Sequence, residues 1–520
     1  MSRPGFVLSV DAQTPPLVVF QGEKVLLERL PFETSVLYPP DALPGIPSLD
    51  AAIEHALDAP VDSEPLGVLL ARGSRVTIVF EDLSQPITSR TAPDVRQRVI
   101  EHVLERAAAA GVDDVELIAA TGLRRRLTAH DLQRVLGERV YASFAPDHVR
   151  SHDAEDEALV SVGELADGTP IEVNGRVASS DLVISVRLAT AVGNEGAAAV
   201  ATKLIGARTA RARGAFAARG GAGTDRAGST ARDPFDDLVD SIGERARVFT
   251  VDVTLTPEPT GPASAFLSKR EREWSITDRA LSAGLQAATR ILPKRARVGL
   301  AQVSGVGYGV TSVVAGRPSS VHPLTEAFLA QQQVGQFDNP ADVALFGIPN
   351  PGSIGSSLNP VTAAALGLGQ IFNGQAAEPV VRAGGTAIFY HPLTPWFHPL
   401  YDPAYIDFFA EVLSRGTDPA AISTDFEEKF AADPWYRHVY QTSYANHALH
   451  PFHAWYSAAP AIEHLGEVIF VGGDHESTRR LGFKSATTLT DALEMASDSV
   501  GLHPSITYVH GAPVSISEVS

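Results

Sequence analysis

Two short polar segments hold residues well suited to chemistry. One is Asp82-Leu-Ser-Gln-Pro86, with a carboxylate at Asp82, a hydroxyl at Ser84 and an amide at Gln85. The other is Thr121-Gly-Leu-Arg-Arg-Arg126, where a hydroxyl and a glycine precede three guanidinium groups. Guanidinium groups grip carboxylates and phosphates through paired N–H donors. Thr121, Gly122, Arg124 and Arg125 therefore read as a binding site for a small anion, with Asp82, Ser84 and Gln85 as polar neighbours. The competing reading, a solvated basic face, takes at least one of the three arginines.

Something must hold these segments together. Val76 to Phe80 and Val115 to Ala120 are β-branched and apolar runs of buried-strand type, and each stops abruptly in one of the polar segments. Between them, Ala92 to Gly111 has apolar residues at helical spacing, so the three form a right-handed βαβ unit. Its two loops lie side by side at the carboxyl edge, where open α/β sheets hold their ligands. Thr128-Ala-His-Asp131 has the pattern of a helix-capping box.

The rest of the chain extends this to an α/β protein of two layered domains with a cleft between them. Residues 1–290 form the first domain, with loop sites at 82–90 and 121–128; its opening sixty residues read as an antiparallel hairpin or meander. Strands are expected at 181–186 and 248–255 and a helix at 235–246, while Gly214 to Thr230 reads as a mobile surface loop. Pro293-Lys-Arg-Ala-Arg297 marks a boundary near 290–300. The second domain, 300–480, has strands at 341–347, 386–390 and 467–471 and a helix around 360–372. Residues 481–520, with a helix at 490–496 and a strand at 505–509, form a tail packing back on both.

Composition excludes several functions. The chain has no cysteine, which removes disulfides, thiolate nucleophiles and Cys-ligated metal sites. A formal net charge of −19 argues against a nucleic-acid surface. No apolar run has the length of a membrane span, and the amino terminus lacks signal-peptide character, so a cytoplasmic protein acting on a small anionic substrate is expected.

Seven of the 16 histidines fall in 390–464, among tryptophans, tyrosines and phenylalanines. Imidazole serves as metal ligand and as acid/base near neutral pH. No metal-binding spacing is present, however, and Pro451 directly after His450 reads as breaking any shared face with His447. Most of this His- and aromatic-rich insertion, 395–460, reads as a lid packed over the cleft. His391, following the strand 386–390, is the exception and is expected at a carboxyl edge facing the cleft.

Several of these motifs occur in order in one known family. Leu57-Asp-Ala-Pro-Val-Asp-Ser-Glu-Pro-Leu66, Asp82-Leu-Ser-Gln-Pro86, Ala120-Thr-Gly-Leu-Arg-Arg-Arg-Leu-Thr128, Asp181-Leu-Val-Ile-Ser185 and Gly482-Phe-Lys-Ser-Ala-Thr-Thr-Leu-Thr-Asp-Ala-Leu-Glu-Met-Ala496 resemble nickel-dependent lactate racemases. The resemblance implies that two-domain fold, racemase or epimerase chemistry on a hydroxy acid or sugar acid, and a nickel-pincer nucleotide attached to a lysine. Lys203 stands one residue from the attachment position. Gln85 replaces the family's active-site Arg, Arg124 replaces a catalytic His, and neither 187–206 nor 204–233 contains the family's later histidines. The resemblance thus implies a divergent member lacking the catalytic and nickel-binding histidines, with proton transfer drawn from Lys203, Asp82 or the His-rich insertion; Lys203 and His391 are the candidate catalytic residues. The alternatives are a binding or regulatory paralogue without chemistry, or a metal-dependent hydrolase or lyase using histidines of 390–464.

Overall fold

The computed structural model describes residues 6–41, 43–83, 93–165, 167–190, 200–218, 238–243, 245–259, 264–293, 296–297, 306–337, 339–350, 358–373, 379–511 and 516–519. Its strands build two large sheets. The first has six strands, in the order Val306–Gly316, Arg247–Pro259, Leu182–Ala189, Arg75–Glu81, Asp114–Ala120 and Val149–Ser151. Neighbours are parallel except at the Val306–Gly316 edge.

The expected βαβ unit forms the middle of this sheet. Helix Val95–Ala109 starts at Asp94, whose side chain accepts the Arg96 N–H at 2.9 Å. It buries Val99, Ile100 and Val103 in one cluster with Val76, Ile78 and Phe80 of the strand. Each such side chain contributes roughly 1.5–3 kcal/mol by leaving water. Val79 points the other way, into a cluster with Ile118, Leu204 and Ile205. The two-residue period of the strand therefore puts Glu81 on the Val79 face, and Asp82 on the opposite one.

The second sheet has nine strands. Its main path runs Phe6–Ser9, Ser35–Tyr38, Ile506–Val509, Ala341–Pro349, Val381–Tyr390, Glu467–Val471 and Lys484–Ala486. The hairpin of Leu17–Gly22 and Lys24–Glu28 joins it at the end of Ala341–Pro349. Sheet membership thus does not follow the boundary read near 290–300. The amino-terminal strands belong to the second sheet, Val306–Gly316 to the first, and Ile506–Val509 is an inner strand rather than part of an outlying tail. Their partners lie at the far end of the chain, a pairing that local patterning cannot express.

Two local expectations need correction. Residues 214–218 are the last turn of helix Ala207–Ala218, not the start of a mobile loop; residues 219–230 lie outside the described residues. The buried positions of this helix are all small, Ala207, Thr209, Ala210, Gly214 and Ala218, so it lacks the apolar stripe that marks helices in sequence. The insertion is also more than a lid. Its Phe408, Phe430, Phe452 and Trp455 share a core with Phe346, Phe389 and Phe470 of the second sheet. Its Tyr440 and Leu449 pack with Val79, Ile118 and Leu204 beneath the first. Among the described residues no helix is long and apolar enough to cross a membrane.

Candidate functional site

The site begins at the carboxyl end of strand Arg75–Glu81. Glu81, 1% exposed, accepts the Leu188 N–H at 2.8 Å through one oxygen and meets the Lys203 ammonium at 3.2 Å through the other. Lys203 closes the tight turn Ala201–Lys203, and its carbonyl accepts the Gly122 N–H at 2.9 Å. That turn favours glycine because Gly122 has φ +57°. Thr121 donates to the His152 carbonyl at 3.0 Å, and His152 Nε2 donates to the Ile205 carbonyl at 2.9 Å. Burial pushes the His152 pKa down, so this ring is a neutral brace beneath the loop.

The three arginines divide their roles. Arg124 lines a cavity of about 290 Å³. Arg125 does not: it is buried, pairs with Asp131 at 2.9 Å and stacks over the Tyr401 ring at 4.4 Å. Its backbone N–H donates to Asn446 at 3.0 Å, while Arg126 donates to the Ser443 carbonyl at 2.6 Å. Both tie the loop to the insertion, which corrects the reading of Arg125 as an anion ligand. Asp131 also completes the expected capping box with Thr128, so its two tasks share one carboxylate.

The opposite wall is helix His450–Tyr456. Pro451 falls in its first turn, where no N–H is required, so it starts the helix instead of breaking it. His450 and His453, three apart, both line the cavity, whereas His447 turns away to Glu155 at 3.0 Å. His450 Nδ1 lies 2.7 Å from the Tyr405 hydroxyl. Burial, reinforced by the Arg124 charge, holds its pKa well below the usual imidazole value. His453 is lowered to about 3, by burial and then by Arg213. Two close contacts shape this wall: a Cβ on Gly214 would come within 2.3 Å of His453 Nε2, and one on Gly369 within 2.3 Å of Ser457 Oγ. Gly369 and Asn373 come from the end of helix Pro360–Ala365, which widens over Leu366–Phe372 to five-residue hydrogen bonding.

Thr121, Gly122, Arg124 and Lys203 are therefore brought to one cavity. Asp82 is not among its lining residues; it is 3% exposed, and its carbonyl accepts from Arg96 at 2.5 Å. His391 does follow its strand at the carboxyl edge, but it is buried beside Gly22 and Pro392, with Nδ1 accepting the Leu393 N–H at 3.0 Å, and it is absent from that lining. Ser84 and Gln85 lie outside the described residues. The sequence does not single out Glu81 or Arg213, and it places His450 and His453 only among the lid histidines. Strand alternation could have found Glu81, whereas nothing local links Arg213 to the insertion it faces.

Comparison with known proteins agrees with this architecture. The lactate racemase N-terminal domain matches residues 22–190. The lactate racemase of Lactiplantibacillus plantarum is 26% identical over 133 residues, which span 26% of this chain and 30% of that protein. The lactate racemase apoprotein of Thermoanaerobacterium thermosaccharolyticum superimposes with a TM-score of 0.63 at 15% identity, covering 97% of this chain and 100% of that one. The chain shares the fold of that lactate racemase apoprotein. A Thermotoga maritima protein matches the same fold at a TM-score of 0.51 and 14% identity, over 92% of this chain and 100% of its own. The loop with Thr121 and Gly122 falls inside the matched amino-terminal domain; helix His450–Tyr456 falls outside it.

Proposed function

We propose that the cavity binds a small hydroxy acid or sugar acid by its carboxylate, and that the protein is a racemase or epimerase using a proton-transfer set of its own. The observation that carries this reading is the charge of the lining. Among the described residues it holds Arg124, Lys203 and Arg213 and no carboxylate, in a chain of net charge −19. Lys203 is offset by Glu81 behind it. Arg124 supplies paired donors for a carboxylate, and the low-dielectric surroundings strengthen that attraction.

Inverting a hydroxyl-bearing carbon requires hydrogen to leave one face and return to the other. Lys203 stands on the wall of the first sheet, and the imidazoles of helix His450–Tyr456 stand on the wall of the insertion. A ligand between them meets Lys203 on one side and the neutral imidazole of His453 on the other. Lys203, one residue from the attachment position of the family's nickel-pincer nucleotide, meets Glu81 at 3.2 Å, and Arg124 stands where the family has a catalytic His.

The test is solvent exchange. Lactate, glycerate or gluconate incubated with the protein in D2O should gain deuterium at the hydroxyl-bearing carbon, and Lys203→Met should lower that rate at least about a hundredfold. Binding of the same acids with no exchange would favour a binding paralogue, which the Arg at position 124 in place of the family's catalytic His also suits.

A further inference from the structure

One nitrogen in the cavity has its protonation fixed from outside. The Tyr405 hydroxyl is buried in a residue 1% exposed, and among the described residues His450 Nδ1, at 2.7 Å, is its partner. A buried hydroxyl seeks an acceptor, and the alternative tautomer would leave its proton with none. The hydroxyl therefore donates, Nδ1 accepts, and the single proton of the neutral ring sits on Nε2. With Nδ1 engaged, Nε2 is the nitrogen left to face the cavity that His450 lines.

We propose that His450 donates its Nε2–H to the 2-oxygen of the bound acid, beside the carboxylate held by Arg124, and that Tyr405 is the positioning residue that keeps this donor in place. The inference rests on reading the cavity as an acid-binding site and adds the group that selects its ligand. A fixed donor rewards an oxygen at that carbon, and it is left buried and unpaired by an acid lacking one. The substrates this site selects are thus 2-oxygenated carboxylates rather than carboxylates in general. The same donor would stabilise negative charge developing on that oxygen.

Paired ligands differing only in that oxygen test it: lactate against propionate, and gluconate against 2-deoxygluconate, by calorimetry on the full chain. Wild type should prefer the oxygenated member at least about tenfold. His450→Phe should bring the ratio near one while keeping Arg124-dependent binding of both acids. His450→Gln, whose amide N–H can stand where Nε2–H stood, should restore the preference. Nitrogen-15 spectra of the imidazoles should show His450 as the Nε2–H tautomer, and Tyr405→Phe should abolish that signature. A preference that survives His450→Phe, or an Nδ1–H tautomer in wild type, overturns the proposal even if one variant fails to fold. Equal binding of both acids overturns it and leaves the cavity reading standing; binding of neither overturns the cavity reading itself and this inference with it.

Discussion

At the scale of single residues, the site depends on groups that hold other groups. Glu81 is buried and serves both Leu188 N–H and Lys203. Replacing it with Gln keeps one hydrogen bond and removes the charge that faces a partly buried ammonium, which should cost about 1–3 kcal/mol, read as a lower urea midpoint. His453 gives a pH signature. Its folded value of about 3 lies below the value of roughly 6.5 in the unfolded chain. Between those values the unfolded chain binds a proton that the folded one does not, so stability falls as the pH falls from 6.5 toward 3, by at most about 1.4 kcal/mol per unit. His453→Gln should flatten that limb of a denaturation series; an unchanged slope would show that His453 is not held neutral.

At the scale of elements, the cavity wall is an interlock of two helices. Gly214 of Ala207–Ala218 meets His453 of His450–Tyr456 without room for a methyl group. Gly214→Ala should cost about 1–3 kcal/mol, and His453→Ala in the same chain should recover most of that. A double-mutant cycle on thermal unfolding measures the coupling; additive losses would mean the helices meet elsewhere. The same elements show how far the sequence could be read. Strands Arg75–Glu81 and Asp114–Ala120 and the Thr128 capping box were legible because their signals are local: β-branched runs, helical spacing, a Thr three residues before an Asp. Helix Ala207–Ala218 was not, since Ala, Gly and Thr bury a face without an apolar stripe. Asp82 stands out in sequence because it opens the polar loop, whereas Glu81, the last strand residue, is the carboxylate that meets Lys203. The cavity role of His450 and His453 depends on Tyr405 and Gly214, contacts with no trace in local spacing.

At the scale of the molecule, a buried network ties the segment between the Arg247–Pro259 and Val306–Gly316 strands of the first sheet to the second sheet. Glu271, 1% exposed, accepts from Tyr38 at 2.8 Å and from Val18 N–H at 2.8 Å, and meets His510 Nε2 at 2.8 Å. Burial alone would raise its pKa, but His510 and these donors outweigh it and hold it below the usual glutamate value. Its stabilisation is therefore present above about pH 4.5 and is lost as the pH falls through the lower folded value. Glu271→Gln should cost about 3 kcal/mol at neutral pH and remove that acid dependence; a variant as stable as wild type would show that the network does not couple the two sheets.

The Thr121–Arg124 loop, helix Ala207–Ala218, the Leu366–Phe372 segment and the insertion line one cavity with Arg124, Lys203 and Arg213 in an acidic chain, and the central claim is that this cavity takes an acid. The most direct measurement is calorimetric titration of the wild-type chain and of Arg124→Gln with lactate, glycerate and gluconate. Saturable binding of at least one, weakened at least about tenfold by Arg124→Gln, is the predicted result. No binding of any of the three, or binding indifferent to Arg124, would contradict it.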